Sequence, residues 1–433
     1  MVKRLHVVCN GHRMGEVEAE GSKLGFNYHQ HWRELQDAFP LSLSMPLTAA
    51  EHSDRVVAPF LWNLLPDNDA ILARWGRRFQ VSPRNPFALL EHVGEDIAGA
   101  AQMVRPERLE EVLAGPPGRI DWLTEEQIGE RLHDLSKDIS AWSREGDSGY
   151  FSLSGAQPKM ALLKRGERWG IPSGRVPTTH ILKPPGGDFD GHAENEHFCL
   201  TLAGRLGLPV ASSQVLRFAG HVAIVVQRFD RQSQGNQILR VPAEDACQSL
   251  AVHPARKYQN HGGPGAKELV TLLSNESSAR EEDIATFLDA LALNWLIGGT
   301  DAHAKNYSLL IGQRGRARLA PLYDIGSALA YAAFDPKRLK LAMKVGSHYE
   351  IKDVTARDWE KLAADAGVNG PWLRDRVAAM AQALPDHVIE TEKELQSQGL
   401  KHSIVPRMTA GILEHIKYCA LRMGKPSHRT RAM

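Results

Sequence analysis

The sequence predicts an α+β protein with more than one core. Three observations predict it. A chain of 433 residues is too long for one ordinary hydrophobic core, so two or three domains or lobes are expected. Short alternating, strand-like runs separated by turn residues recur from Leu5 as far as Arg228. Over Ile284 to Ile297, and again after Asp324, the apolar residues instead recur at helical spacing. The expected organisation is a small α/β unit over 1–104, a helical linker region over 105–149, and a larger body over 150–433 whose C-terminal lobe is mostly helical.

Composition excludes several classes. Hydrophobic content of 42% with 24% charged residues is that of a soluble globular protein. A net charge of +1 argues against a general nucleic-acid or membrane-surface binder. Cys9, Cys199, Cys247 and Cys419 are scattered, with no CxxC pair, which suits reduced thiols in a cytoplasmic protein. Met1 is followed by strand-like residues instead of an apolar signal region, and no run of about 18 apolar residues occurs.

Taken in order, Leu5, Val7 and Cys9 alternate up to Asn10-Gly11, a hairpin signal, and Met14 to Glu18 follow. Phe39 to Leu47 is an alternating segment fenced by prolines. Phe60, Leu61, Leu64 and Leu65 have helical spacing; Pro66-Asp67-Asn68 breaks that helix before Ile71 to Phe79 resumes it. Glu107 to Ser143 reads as charged, amphipathic helix interrupted at Pro116-Pro117-Gly118. Ser154 to Lys159 is a loop of small residues before a strand-like run, the kind whose backbone N–H groups can approach phosphate oxygens. Thr179 to Lys183 is a short strand ending in a lysine, and Ala193 opens a helix closed by Gly207 and Pro209. Ser213 to Phe218 and Val222 to Arg228 read as two strands joined at Gly220, the second ending in Gln227-Arg228-Phe229. Lys257 to Gly265 is a glycine-rich polar loop, and Lys425 to Arg431 is a basic tail.

The chemistry concentrates after a buried helix, Ile284 to Ile297, which Gly298-Gly299 terminates. Asp301 and Asn306 follow at the offset of the base and metal-ligand positions of a kinase catalytic loop, and Asp324 comes shortly after. That spacing lets one tight loop aim two side chains at opposite ends of a transferring phosphoryl group. Tyr307 to Ile311 and Arg318 to Pro321 read as a hairpin, which returns Asp324 to Asn306; two oxygen ligands at one spot suit Mg²⁺.

These motifs together resemble the HipA-type serine/threonine kinases, the toxin components of bacterial toxin–antitoxin pairs. The resemblance covers nearly the whole chain, including Leu41 to Leu47, Asn63 to Asp67 and Gly94 to Ala100 in the first unit, and Ser154 to Lys159, Arg228 to Arg231, Glu244 to Gln248, Lys257 to Gly265 and Thr300 to Asn306 in the second. It implies a protein-kinase-like two-lobed core preceded by a small α/β N-terminal subdomain, with ATP and Mg²⁺ as cofactors. It makes Asp301 the catalytic aspartate and Asn306 and Asp324 the Mg²⁺ ligands. Ser154, Gly155, Ala156, Gln157, Pro158 and Lys159 match the phosphate-facing loop, Lys183 the nucleotide lysine, and Gln227, Arg228 and Phe229 the hinge. His303, Lys305 and Tyr323 line the same pocket. Ser152 aligns with the serine whose autophosphorylation expels that loop and silences the enzyme. Pro158 and Gln227 stand where a close relative has glutamates. The implied partners are a small helix-turn-helix antitoxin (HipB-like), operator DNA reached mainly through it, and an aminoacyl-tRNA synthetase as substrate. Arg374 and Arg376 lie in a helical region that could touch DNA phosphates or form a solvated face. A scaffold that strengthens the antitoxin's repression and a small-molecule kinase are the rival readings.

Overall fold

The computed structural model describes residues 2–142, 144, 146–147, 149–186, 190–235 and 237–424. The chain forms two compact units. Unit 1 comprises Met1–Gly186, Leu216–Ala255 and Ser308–Ala320; unit 2 comprises Gly187–Val215, Arg256–Tyr307 and Pro321–Met433. The fold is α+β, and no helix among the described residues is long and apolar enough to cross a membrane.

Unit 1 begins with strands β1 (Lys3–Cys9), β2 (His12–Glu20), β3 (Lys23–Tyr28), β4 (Glu51–His52) and β5 (Ala101–Val104), ordered β4-β3-β2-β1-β5. The expected Asn10-Gly11 hairpin is present, with both residues at positive φ (46° and 84°) as a tight two-residue turn requires. A second sheet is built from β6 (Ile120–Leu123), β7 (Met160–Arg165), β8 (Arg168–Pro172), β9 (His180–Lys183), β10 (Ser213–Phe218) and β11 (His221–Gln227), ordered β10-β11-β9-β7-β8-β6. One buried apolar core serves both sheets, from Leu5, Val17 and Phe26 through Leu65 and Phe87 to Met160, Leu182 and Val225.

Two local expectations differ from what forms. Within the stretch expected to be helical, Ile120–Leu123 pairs with Trp169–Pro172 as an edge strand between helices Leu109–Ala114 and Glu125–Lys137. Pro116, Pro117 and Gly118 release the chain from helix, and the four-residue run Ile-Asp-Trp-Leu, with strand-favouring Ile120 and Trp122, then finds a sheet edge. Phe39 to Leu47 makes only an isolated bridge between Ser42 and Met45, because its two prolines remove ladder donors. Side-chain bonds hold this segment instead: Leu41 N–H donates to Tyr28 Oη (2.8 Å) and Leu43 N–H to Glu244 Oε1 (2.8 Å).

The second constraint in unit 1 is ionic. Asp96 and Asp230 are buried with Arg228, Arg231 and Arg240, whose side chains are each 2% exposed. Arg228 forks onto Asp230 (2.9 and 2.8 Å) and also donates to Thr178 Oγ1 and the Ile97 carbonyl. Arg231 donates to Asp96 (2.9 Å) and to the carbonyls of Gly99 and Thr178. Asp96 in turn accepts from both the N–H and the hydroxyl of Thr178 (3.0 and 2.6 Å).

Unit 2 is carried by helices His192–Arg205, Ala266–Glu276, Arg280–Ile297, Ala356–Asp365, Gly370–Ser397 and Ile404–Met423. Helix Arg280–Ile297 is buried over its last eleven residues, Phe287 to Ile297. It ends on Gly298 at φ 66°, the left-handed cap expected there. The predicted basic tail, Lys425 to Arg431, lies outside the described residues.

Two stability outcomes follow. Burial pushes the Asp230 carboxyl up, but the Arg228 and Arg231 guanidiniums outweigh it and hold it far below the carboxylate range. Because the folded state depresses that value, the contribution is fully present above pH ~4 and fades as pH falls below it. Asp230→Asn leaves two buried guanidiniums undercompensated and is expected to cost about 3–5 kcal/mol at pH 7 by denaturant titration, with a shallower acid limb than wild type. Glu244 is the opposite case: burial pushes its carboxyl up to about 7, and its second oxygen has no partner among the described residues. Glu244→Gln should match wild type in stability near pH 4, gain on it as pH rises toward 7, and hold a constant lead above that.

Candidate functional site

The residues singled out by the sequence fall into two sets, one in each unit. In unit 1, β7 begins at Met160 and pairs antiparallel with β9, Met160 facing Leu182. This register sets Lys159, at the end of the small-residue loop, beside Lys183, the last residue of β9. On the other side β11 pairs Ile224 with Lys183 and Gln227 with His180. Lys183 and Gln227 therefore mark opposite ends of β9, roughly 10 Å apart at strand rise. Gln227 is exposed, whereas the Arg228 side chain is taken up by the buried ionic network, so Arg228 has only backbone to offer a ligand.

The loop 151–159 is strapped to the segment after helix Asp54–Asn63. Ser152 is fully buried, and its hydroxyl donates to the Leu64 carbonyl (2.7 Å) while its N–H donates to the Asp96 carbonyl (2.9 Å). Asp67 N–H donates to the Gly155 carbonyl (3.1 Å), and Pro66 and Gly155 form a parallel bridge. Lys159 Nζ bonds the Ser154 carbonyl (2.5 Å) and lies 5.6 Å from the centre of the Trp142 ring, which stacks on Phe151. Gly155 has φ +100°, a backbone conformation that L side chains rarely adopt, so the turn favours glycine.

In unit 2 the second set is drawn into one short loop. His303 N–H donates to the Asp301 carbonyl (2.8 Å) and Asn306 N–H to the His303 carbonyl (2.9 Å). The Asn306 amide then donates both to the Asp301 carbonyl (3.2 Å) and to the Asp324 carbonyl (3.4 Å). Asn306 and Asp324 thus meet, as the hairpin between them predicts. Tyr323 Oη donates to the Lys305 carbonyl (2.7 Å), a second tie between the same two segments. Leu322 is held on both sides, its N–H donating to Pro209 and its carbonyl accepting from Ala211 (2.8 Å each). Asp324 itself sits at φ 58°, a left-handed conformation that aspartate tolerates better than most residues and that tends to mark functional loops. Asp301 is exposed, whereas His303, Lys305 and Asn306 are buried.

The donor set fits Mg²⁺. An amide that donates through Nδ2 turns its oxygen to the other side, and Asp324 adds a carboxylate: hard oxygen donors on adjoining segments. Among the described residues no group of three or more His, Cys, Asp or Glu side chains forms a closed metal cage. A cation held here would complete its shell with water and phosphate, as Mg²⁺ does.

Sequence reasoning missed three residues that shape this loop. Tyr258, in the glycine-rich segment, donates its phenol to Asp301 Oδ1. Asn195 grips Ser327 through two backbone bonds (2.8 and 2.9 Å), and Ser327 Oγ donates to the Ile297 carbonyl (2.6 Å), fixing the chain three residues after Asp324. Only the polar residue Asn195 inside a helix buried on nearly every side signalled this. Arg374 and Arg376 are engaged with carboxylates: Arg376 forks onto Asp289 (2.5 and 2.6 Å), and Arg374 bonds Glu360 and Asp375.

Comparison with known proteins agrees along the chain. Residues 5–104 match the family description HipA N-terminal domain, and residues 151–388 match HipA-like C-terminal domain. The chain is 35% identical over 394 residues to Y4mE of Sinorhizobium fredii, spanning 89% of this chain and 91% of that protein. It is 29% identical over 399 residues to the serine/threonine-protein kinase toxin HipA of Shewanella oneidensis, spanning 87% and 86% respectively. Among solved structures, it shares its fold with a chain of the Shewanella oneidensis complex of HipA, HipB and operator DNA. The TM-score is 0.82 at 24% identity, with 97% of this chain and 98% of that chain covered.

The burial of Ser152 generates a direct test. Ser152 is fully buried, so a carboxylate placed there is cut off from solvent and forfeits the Leu64 bond. Ser152→Asp should raise hydrogen exchange across 151–159 and change Trp142 fluorescence, since Phe151 moves with the loop. Exchange and emission identical to wild type would show that Ser152 does not anchor it.

Proposed function

The chain belongs to the HipA family, and from that premise we propose that it is an ATP- and Mg²⁺-dependent serine/threonine protein kinase acting as a toxin. The observation that carries this proposal is the joining of Asp301, Asn306 and Asp324 through one amide side chain. Asp301 orients the acceptor hydroxyl and takes its proton as the new O–P bond forms and ADP departs. Asn306 and Asp324 would hold Mg²⁺, which when bound would supply positive charge to offset that of the phosphates. Lys183 and the backbone of 154–159 receive the phosphates, and the hinge at Gln227 to Phe229 receives the base through main-chain groups. The β9 span between Gln227 and Lys183 suits a base at one end and phosphates at the other. His303, Lys305 and Tyr323 complete the loop's inner wall.

Ser152 gives the kinase its off switch. Its hydroxyl lies in the interior of unit 1, so phosphorylation requires the 151–159 loop to come out. A phosphate carrying nearly two negative charges then bars its return. The external substrate is an aminoacyl-tRNA synthetase, the glutamate enzyme in the best-known case, whose modification arrests translation and growth. A small HipB-like helix-turn-helix antitoxin restrains the kinase and carries it to operator DNA. The assembly named for the Shewanella complex supports this reading. A kinase working with these partners would act in the cytoplasm.

Purified protein incubated with labelled ATP and Mg²⁺ should label itself at Ser152. Asp301→Gln should abolish that labelling, a loss of at least about 10³-fold, with unchanged melting temperature. Labelling that survives the substitution would overturn the assignment of the base.

A further inference from the structure

The loop from Lys257 to Gly265 has no part in the scheme above, yet it is joined to the catalytic loop. We propose that Tyr258 is a positioning residue for phosphoryl transfer: its phenol holds Oδ1 of Asp301 and so fixes the direction in which the carboxylate meets the acceptor hydroxyl. This rests on the reading of Asp301 as the base.

Asp301 is exposed, so packing does not set its side-chain torsions. Tyr258 is better placed to be fixed. Its carbonyl accepts from His261 and Gly263 N–H (3.0 Å each), which closes the loop on itself. Gln259 ties that loop to the hairpin Lys340–Glu350 by accepting from Lys344 N–H (2.7 Å). The neighbouring Lys257 carbonyl accepts from Ala304 N–H (3.3 Å), three residues from Asp301, so the two loops are joined through their backbones as well. The phenol ring meets His303 edge-on at 4.8 Å and His261 at 5.7 Å, while Lys257 Nζ lies 5.5 Å from its centre. A ring contacted on several sides has little freedom, and its hydroxyl passes that rigidity to the carboxylate it bonds. A carboxylate is planar, so turning Oδ1 to Tyr258 directs Oδ2 to the opposite edge. Misaiming a base is costly because transfer needs near-attack geometry before the proton moves.

The test is Tyr258→Phe, which keeps the ring and its contacts and removes only the hydroxyl. Self-labelling at saturating ATP–Mg²⁺ should slow by roughly 10- to 100-fold, the weight of a hydrogen bond to a charged group. The half-saturating ATP concentration, the directly measured affinity for ATP–Mg²⁺ and the melting temperature should stay at wild-type values. A wild-type labelling rate overturns the proposal, and so does a variant that loses rate, affinity and melting temperature together. Wild type and Asp301→Gln run alongside separate the two levels. If wild type labels, Asp301→Gln does not and Tyr258→Phe is unimpaired, this inference alone fails. If wild type does not label at all, the proposed function fails and takes this inference with it.

Discussion

The buried network of Asp96 and Asp230 with Arg228, Arg231 and Arg240 is the constraint on which unit 1 depends. Removing five charges from water costs far more than any one pairing returns, so the network is tenable only with nearly all its donors and acceptors met; Arg240 Nε is the exception among the described residues. The partners that meet them are backbone groups of widely separated segments: Ile97 and Gly99, Thr178, and the chain around Arg228. Satisfying the charges therefore fixes where β9 begins and where β11 ends. Those are the two points from which Lys183 and Gln227 are set out along the sheet.

The loop 151–159 is held by a different economy. Backbone-directed bonds from Ser152 to Leu64 and Asp96, and from Asp67 to Gly155, fasten a segment whose Phe151 and Leu153 also join the buried core, while Lys159 Nζ closes the loop on Ser154. Leaving would break the bonds to Leu64, Asp96 and Asp67 and withdraw both apolar side chains from that core. On the proposed reading of Ser152 as the modified serine, its full burial would link modification to the position of the loop. The loop in unit 2 that carries Asp301 and Asn306 is built the other way. Its turns are closed by short-range backbone bonds, and its outer side chains are tied to Tyr258, Asp324 and, through Asp324's chain, Asn195.

Much of this was legible in the sequence. The Asn10-Gly11 turn, the helix break at Pro66, the Gly298 cap and the hairpin between Asn306 and Asp324 are all local rules, set by residues within a turn or two of one another. The strand Ile120–Leu123 was not legible, because a four-residue run among helix-forming residues becomes a strand only when β8 offers an edge. Phe39 to Leu47 misled by its alternation, since its bonding partners, Tyr28 and Glu244, lie far away in sequence.

The chain itself determined the mixed α and β character, the spacing of Asp301 and Asn306, and the choice of glycine at Gly155 and Gly298. Each depends on backbone torsions and neighbours along the chain. Only the tertiary structure decided that Arg228 turns inward to Asp230, that Ser152 lies buried against Leu64, and that Tyr258 reaches Asp301. The last two bonds span 88 and 43 residues of sequence, and which donor meets which acceptor across such distances is set by packing and desolvation, not by local pattern. Asp301, the proposed base, stood out by its spacing from Asn306; its bond to Tyr258 could be read only from the fold.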